Sequence, residues 1–583
     1  MTINHRRLLA AAVLALLPAP ALAKCGLTQL AELKVTMDGR VPMVDTALNG
    51  KATRLVLDSG AFYSIISPAA AAELGLRVVE APDGFSIRTT AGERNMRLTT
   101  VKDFALAGAT FHNVQFIVAD LGIGASGVLG QNVLGLADVE YDLGHGVARL
   151  MRPDDCQNSP LAYWATGKPI AVLDLAPRTP EQRLTTANVL VNGTTIRAAF
   201  DTGAQTSVLS LGAAARSGVT PDSPGVVAAG FANGVGSRGT RTWVAPFASL
   251  KFGDGEEIRR IKLRIGQSDL AGADMLIGAD FFLSHHIYVS NRQHRMYFTY
   301  DGGPIFDLTA HQAPPDAAAA TPDDPGQPRD AEGYGRRGAA FVARQQYDRA
   351  IADFTRAMEL APGDARYPFQ RAMARFAAKD RAPGIADIDK ALALDPNAID
   401  AHIVRGSLRA GDGDIAGARE DADAADRLAT PASDRHLDLA DLYTQLDAFD
   451  RVVAQYDLWL RAHPTDGRRV FALNGRCWAR AQSGRDLDKA LDDCNEAVRL
   501  HPEMAGILDS RGMVQLRLGN LDRAIADYDA ALAKNPNIAW SLYGRGLAKQ
   551  RKGLKDEGAA DIAAAVKLDA KLPERAKKLG ITS

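Results

Sequence analysis

The segment Asp58-Ser59-Gly60-Ala61 recurs 143 residues later as Asp201-Thr202-Gly203-Ala204, and the agreement between the two places extends well beyond four residues. Asn49-Gly50 ends eight residues before Asp58, and Asn192-Gly193 ends eight before Asp201. Asn-Gly marks a tight hairpin, because both central residues of its turn need positive φ. The apolar runs Leu55-Val56-Leu57 and Ala198-Ala199-Phe200 then read as the end of a buried strand that delivers each Asp. Ser67 and Ser210 both stand nine residues past their Asp and open Ala-rich segments, while Gly75 and Gly218 both stand 17 past it. That pattern predicts a short helix capped by Ser and stopped by Gly. Val128-Leu129-Gly130 and Leu276-Ile277-Gly278 follow, with their glycines 72 and 77 residues after the Asp. A chain with this internal register folds its first half as two equivalent, mainly β lobes.

Two such lobes facing each other bring Asp58 and Asp201 together. Close carboxylates cannot both ionise cheaply, so the pair shares one proton over a working pH range. One member can then take a proton from water while the other gives one to a carbonyl oxygen, which is general base and general acid in one site. The chain offers no His-Glu-x-x-His, no Gly-x-Ser-x-Gly and no Cys beside a paired His, so no metal, cofactor or covalent nucleophile is expected. His285-His286 are neighbours on an expected strand and point to opposite faces, so they cannot chelate one ion. Asp412 and Asp414 lack the Glu of a calcium loop and fall at a turn.

With both Asp-Ser/Thr-Gly-Ala motifs and both later apolar-apolar-Gly motifs in view, residues 25 to 300 resemble two retropepsin-like aspartic protease lobes fused in one chain. The resemblance implies that Asp58 and Asp201 are the catalytic pair, that Ser59 and Thr202 brace the two loops across the lobe boundary, and that Gly60 and Gly203 line the site. It implies a polypeptide substrate. It also implies a Gly-tipped flap in each lobe; the candidate tips are Ala91 and Gly92 in the first and Asn233 and Gly234 in the second. Both pairs lie within positions 31 to 35 after the respective Asp.

The second half changes character. Residues 309–332 collapse to Ala, Pro and Asp, a linker composition. Beyond it a 34-residue period appears, from Pro362 to Pro396 and from Pro502 to Pro536, with small residues at Gly338, Ala372 and Gly512, at Ala350, Gly384 and Ala524, and at Ala357, Ala391 and Ala531. Small residues at these places let paired helices approach closely. This half resembles a tetratricopeptide repeat array of seven copies, which implies a protein partner. The fourth copy departs from the pattern with Val452 and Trp459, the fifth carries about three extra residues around Ser483 to Asp486, and a basic helix after Pro573 serves as the cap that stacked repeats require.

The N-terminus has His5, Arg6 and Arg7, an apolar run over residues 8–17, and Ala21-Leu22-Ala23, which is the pattern of a secretory signal peptide. Export to a periplasmic or extracellular space is therefore expected, with no stable membrane anchor after cleavage. An oxidising compartment favours disulfides, and the four cysteines fall into two natural pairs, Cys25 with Cys156 and Cys477 with Cys494. Lys plus Arg number 68 against 69 Asp plus Glu, so no basic excess exists to hold nucleic acid.

The expected architecture is multidomain: a signal peptide over 1–23, an all-β retropepsin-like acid protease double lobe over 24–156 and 157–308, the linker, and an all-α tetratricopeptide repeat solenoid over 333–583. The leading functional reading is an exported aspartic endopeptidase whose array recruits a partner or substrate. The alternative is a non-catalytic peptide-binding scaffold built on the same lobes. A third arrangement pairs each lobe with its copy in a second molecule, although fusion in one chain favours pairing within it.

Overall fold

The computed structural model describes residues 25–81, 86–89, 92–95, 97–119, 125–157, 159–177, 184–232, 240–267, 272–306 and 328–582. The signal peptide expected over 1–23 and most of the proline-rich linker lie outside them. Among the described residues, no helix is long and apolar enough to cross a membrane.

Each lobe starts from its Asn-Gly hairpin. Strand Val41–Leu48 pairs with Lys51–Leu57, and Thr186–Val191 pairs with Thr194–Phe200. Asn49 and Gly50 have φ of +51° and +80°, and Asn192 and Gly193 have +48° and +78°, the left-handed values that such a turn demands. The last residues of each outgoing strand are buried, with Leu55, Val56, Leu57, Ala198, Ala199 and Phe200 all inaccessible or nearly so. Burial on both faces follows from topology. Strand Gly127–Leu129 runs parallel to Lys51–Leu57 and antiparallel to Ile65–Ile66, and Met275–Ile277 runs parallel to Thr194–Phe200 and antiparallel to Val208–Ser210. The short helices Pro68–Glu73 and Leu211–Arg216 follow, with Ser67 Oγ accepting from Ala70 N–H and Ser210 Oγ from Ala213 N–H. Gly75 and Gly218, at φ +66° and +82°, end them.

The lobes are joined by one continuous sheet. From one edge its strands run in the order Ala171–Asp174, Arg295–Tyr300, His285–Ser290, Asp138–Asp142, Val147–Asp154 and Gly26–Asp38, so three strands from each half of the duplication lie side by side. The seam is Val139 opposite Val289, Glu140 opposite Tyr288 and Tyr141 opposite Ile287. Cys25 and Cys156 form a disulfide beside the pair Gly26 and Asp154. His285 and His286 occupy opposite faces of this sheet. His285 Nδ1 lies 2.9 Å from Phe281 O, whereas His286 Nε2 lies 2.8 Å from Glu140 Oε1 and its ring stacks on Trp164 at 3.8 Å. Both histidines are structural.

Seven helix pairs follow. They are Ala331–Ala343 with Tyr347–Leu360, Arg366–Ala377 with Arg381–Leu394, Ile399–Gly411 with Ile415–Leu428, Arg435–Gln445 with Phe449–Ala462, Arg469–Ser483 with Leu487–Leu500, Ala505–Arg517 with Leu521–Lys534, and Ala539–Arg551 with Lys555–Leu568. The helix Leu572–Lys578 comes last. The small positions work as the period suggests: a Cβ on Gly338 would stand 2.7 Å from the Phe354 ring, and one on Gly512 would stand 2.8 Å from the Tyr528 ring. In the fourth repeat Val452 and Trp459 are fully buried, and the indole Nε1 donates to Asp434. Cys477 and Cys494 join the two helices of the fifth repeat.

A second periodic feature runs through the array. Arg337, Arg371, Arg405, Arg511 and Arg545 each grip an Asp 16 residues on with two hydrogen bonds, and Arg476 does so with Asp493. The fourth repeat has Leu439 and Gln455 instead, and Gln455 Oε1 lies 2.6 Å from His436 Nδ1.

The array is packed on the lobes. The alanine face of its first helix, Ala339, Ala340 and Ala343, shares a buried cluster with Leu143 and Phe306 of the double lobe and Phe354 of the first repeat. Small side chains let this helix sit directly on the turn at Leu143–His145, where a Cβ on Gly144 would overlap the buried Arg344 guanidinium. Lys34 pairs with Glu332 at 2.8 Å, and Arg40 Nε donates to Ala343 O. Farther along, Thr430, Ser433, Asp434, His463 and Arg468 of the array face Ser67, Ala70 and Glu73 of the first lobe across a cavity of about 270 Å³. After the Pro- and Ala-rich linker, the array is therefore seated on the lobes through the alanine face of its first helix.

Candidate active site

The two Asp motifs sit at the ends of paired strands whose backbones are anchored from below. Asp58 N–H donates to Leu129 O at 3.1 Å, and Asp201 N–H donates to Ile277 O at 2.8 Å. Those acceptors belong to the apolar-apolar-Gly motifs. Gly130 and Gly278 lie so close beneath the loops that a Cβ on either would meet backbone atoms at 2.6 Å, of Tyr63 and of Ala204 respectively. Each loop curls back on its own carboxylate, as Gly60 and Ala61 N–H donate to Asp58 Oδ1 at 2.8 and 2.7 Å and Gly203 N–H donates to Asp201 Oδ1 at 2.8 Å.

The carboxyl groups of Asp58 and Asp201 hydrogen-bond to each other in a half-buried site. The loops approach so closely that a Cβ on Gly60 would stand 2.2 Å from Asp201 Cγ, and one on Gly203 would stand 2.5 Å from Asp58 Cγ. Burial, then the charge of Asp201, then the hydrogen bond to it push the Asp58 carboxyl well above the usual carboxylate range. Burial also raises Asp201, but its bond from Asp58 and backbone N–H groups of Gly203, Ala204 and Gly60 favour its ionised form. Both carboxyls are raised, so the pair holds one proton between them above the usual carboxylate range.

Ser59 and Thr202 tie the loops together. Ser59 N–H donates to Thr202 Oγ1, whose hydroxyl donates to Leu57 O at 2.6 Å; Thr202 N–H donates to Ser59 Oγ, whose hydroxyl donates to Phe200 O at 3.0 Å. All four groups are buried.

A further set of residues escaped the sequence reading. In the first lobe Ser64 N–H and Oγ both contact Asn132 Oδ1, Gly130 N–H donates to Ser64 Oγ, and Gln131 Nε2 donates to Ser59 O at 2.7 Å. In the second, Ser207 N–H and Oγ bind the two oxygens of Asp280, and Gly278 N–H donates to Ser207 Oγ. The signal was available: Ser64 and Ser207 stand six residues after their Asp, and Asn132 and Asp280 stand two after their Gly.

Of the candidate flap tips, Gly92 begins a strand in the hairpin Ser86–Thr89 with Gly92–Asn95, where Thr89 is opposite Gly92. Ala91 lies outside the described residues, as do Asn233 and Gly234, which fall between the paired residues Ala232 and Thr240. Away from the site, Asp142, His145 and Asp301 bring three ligand-type atoms within 4.8 Å of one another. His145 Nδ1 lies 2.6 Å from Asp142 Oδ1, and the buried Arg344 balances the two carboxylates, so this cluster reads as an ion network at the junction with the array.

Comparison with known families follows the same division. Residues 44–133 match the "Aspartyl protease" family model, and residues 187–284 match that of the "gag-polyprotein putative aspartyl protease". No curated protein matches the chain. Among solved structures, the chain is similar to a tetratricopeptide repeat protein from Parabacteroides merdae at 18% identity, covering 43% of this chain and 98% of that one with a TM-score of 0.33. It is similar to YrrB, described as a TPR protein with an unusual peptide-binding site, at 19% identity over 39% of this chain and 97% of that one, with a TM-score of 0.22. The APC/C hetero-tetramer Cut9-Hcn1 gives 15% identity over 38% of this chain with a TM-score of 0.31, and the chain spans 42% of its length. The molecule thus carries two aspartyl-protease-like β lobes followed by a helical repeat array of the tetratricopeptide kind.

Proposed function

We propose that the double lobe is an aspartic endopeptidase in which Asp58 and Asp201 activate one water against a peptide carbonyl. The observation that carries this is the close approach of the two carboxyls, each set against the other loop's glycine, which raises both above the usual carboxylate range so that they share one proton. Asp201 takes a proton as the water oxygen bonds to the carbonyl carbon, while Asp58 gives its proton to the carbonyl oxygen, forming a neutral gem-diol. The proton taken by Asp201 then passes to the amide nitrogen as the C–N bond breaks, and a gem-diol hydroxyl returns a proton to Asp58, which restores the pair. Backbone N–H groups at Gly60, Ala61 and Gly203 hold the carboxylates without extra charge.

Export is part of the reading, supported by the signal pattern and by a disulfide in each module. The array recruits a protein partner or presents substrate close to the first lobe. The deciding experiment is cleavage of a mixed peptide library by the purified protein, by Asp58→Asn and by Asp201→Asn, with a statine-type inhibitor as control. Inhibitor-sensitive products from the parent and a loss of about 10³-fold or more in each variant are expected. Retained cleavage in either variant defeats the shared-pair mechanism, and no products at any pH from about 3 to 8 favour a peptide-binding scaffold.

A further inference from the structure

In the array, the first helices of successive repeats pack on one another, repeat 5 on 6 and repeat 6 on 7, while the second helices make no comparable contact. The first helices therefore line the inner side of the curve. The C-terminal segment lies on that side. Leu572, Ala576 and Ile581 are buried in one cluster with Cys477 and Ala481 of repeat 5, Leu516 of repeat 6 and Leu547 of repeat 7. The Arg575 guanidinium lies 5.9 Å from the centroid of the Trp540 ring, and Trp540 meets Trp478 of repeat 5 edge to face. Arg517 donates to Leu579 O and Arg551 to Thr582 O, both from the last turns of first helices. Lys578 pairs with Asp447 in the turn of repeat 4, 131 residues earlier in the chain.

A helix that simply closed the stack would meet repeat 7. This segment bonds to repeats 4, 6 and 7 and shares its buried cluster with repeat 5. We propose that the inner face of repeats 4 to 7 is a docking site for a short, basic, amphipathic helical segment of a protein partner, and that residues 571–582 occupy it as a displaceable plug. The proposal rests on the reading of the array as a recruitment surface and adds where the partner binds and what it looks like. The chemistry of the occupant defines the ligand: apolar side chains about one turn apart, a cation over Trp540, an ammonium group for Asp447, and helix-end carbonyls for the two arginines. Seven helical residues are too few to hold a helix alone in water, so order in this segment depends on the face it covers. Tethering keeps its local concentration high, and a partner must compete against that.

The test uses a fluorescein-labelled peptide of sequence 569–583 and two proteins, the full chain and a chain ending at Asp569, with binding read by fluorescence anisotropy. The shortened chain is expected to bind at least about tenfold more tightly than the full chain, and a peptide carrying Leu572→Asp and Ile581→Asp is expected not to bind. A shortened chain that is folded by circular dichroism yet does not bind overturns the proposal, as does equal binding by the two proteins. Hydrogen exchange on the intact chain supplies an answer if shortening prevents folding. Amides of 574–582 should exchange at least about tenfold faster than those of Ala539–Arg551, and equal rates would make the segment an integral part of the stack and overturn the proposal. The recruitment role fails separately: if the shortened chain binds peptide but its turnover of folded and short substrates is equally insensitive to excess peptide, the site stands and that role falls.

Discussion

Ser59 and Thr202 exchange hydrogen bonds across the boundary between the lobes, each backbone N–H donating to the other residue's hydroxyl oxygen over 3.0 Å. Each hydroxyl then donates to a carbonyl of the opposite lobe, so both hydroxyls act as donor and acceptor across the boundary. Ser59→Ala leaves the Thr202 N–H and the Phe200 carbonyl unpartnered, and Thr202→Val does the same to Ser59 and Leu57. Each variant should lose about 1–3 kcal/mol in urea unfolding and about 10- to 100-fold in peptidase rate through misplacement of the Asp loops. Ser59→Thr keeps the hydroxyl and should keep most of both.

Two carboxyls that share one proton predict a bell-shaped rate profile. The acid limb marks protonation of the ionised member and the alkaline limb marks loss of the shared proton, so the alkaline limb lies above the usual carboxylate range. The same shift acts on stability. Because the folded-state value of Asp58 is raised, its contribution is fully present below the unfolded value and is lost as pH rises through the folded one. Thermal melts of the parent should fall over that window, and those of Asp58→Asn should lose this dependence.

Gly60 faces the Asp201 carboxyl so closely that a methyl group there would sit 2.2 Å from its Cγ. Gly60→Ala should cost about 100-fold or more in rate by pushing the carboxyls apart, while near-ultraviolet circular dichroism shows the lobes intact. Near-parental turnover would mean that the two loops can separate freely.

Arg337 and Asp353 form a buried, bidentate pair at 2.7 and 2.8 Å in the first repeat. Arg337→Leu strands a carboxylate that is only 8% exposed, and should destabilise by about 3–5 kcal/mol in chemical denaturation. Arg337→Leu with Asp353→Leu should recover most of that loss, since no lone charge remains buried.

Asp509 is buried against Ser541, and burial pushes its carboxyl up to about 6. The folded state binds this proton more tightly than the unfolded state, whose carboxyl has the ordinary value near 3.8. Its contribution is therefore whole below that value and lost as pH climbs to about 6. Asp509→Asn should raise the stability of the array at neutral pH by about 3 kcal/mol and flatten the slope between those two values, measured by urea titrations at several pH values.

Much of the site was legible because its signals are local. Asn-Gly turns, Ser caps and stop glycines act through φ and backbone N–H groups within a few residues, so Asp58 and Asp201 could be placed on their strands from the chain alone. The brace by Ser59 and Thr202 rested on family resemblance, and its geometry appears only when the lobes meet. Ser64 with Asn132 and Ser207 with Asp280 were overlooked because Ser and Asn in a loop have many local uses, and nothing local announces a partner 68 or 73 residues away. The Arg and Asp ladder of the repeats was present at a fixed spacing of 16, but a charged pair on two helices reads as a solvated surface until packing buries it.

The sequence by itself determined two lobes in register, the residues at their strand ends, and a 34-residue helical period with its irregular fourth and fifth copies. Each of these is written in turn chemistry and side-chain periodicity over short stretches. Only the tertiary structure decided that three strands from each lobe make one sheet, that the alanine face beginning at Ala339 seats the array on the turn at Gly144, and that Lys578 returns to Asp447. Those contacts join residues far apart in the chain through shape and burial, and an alanine face or a lone lysine carries no mark of the surface it will meet.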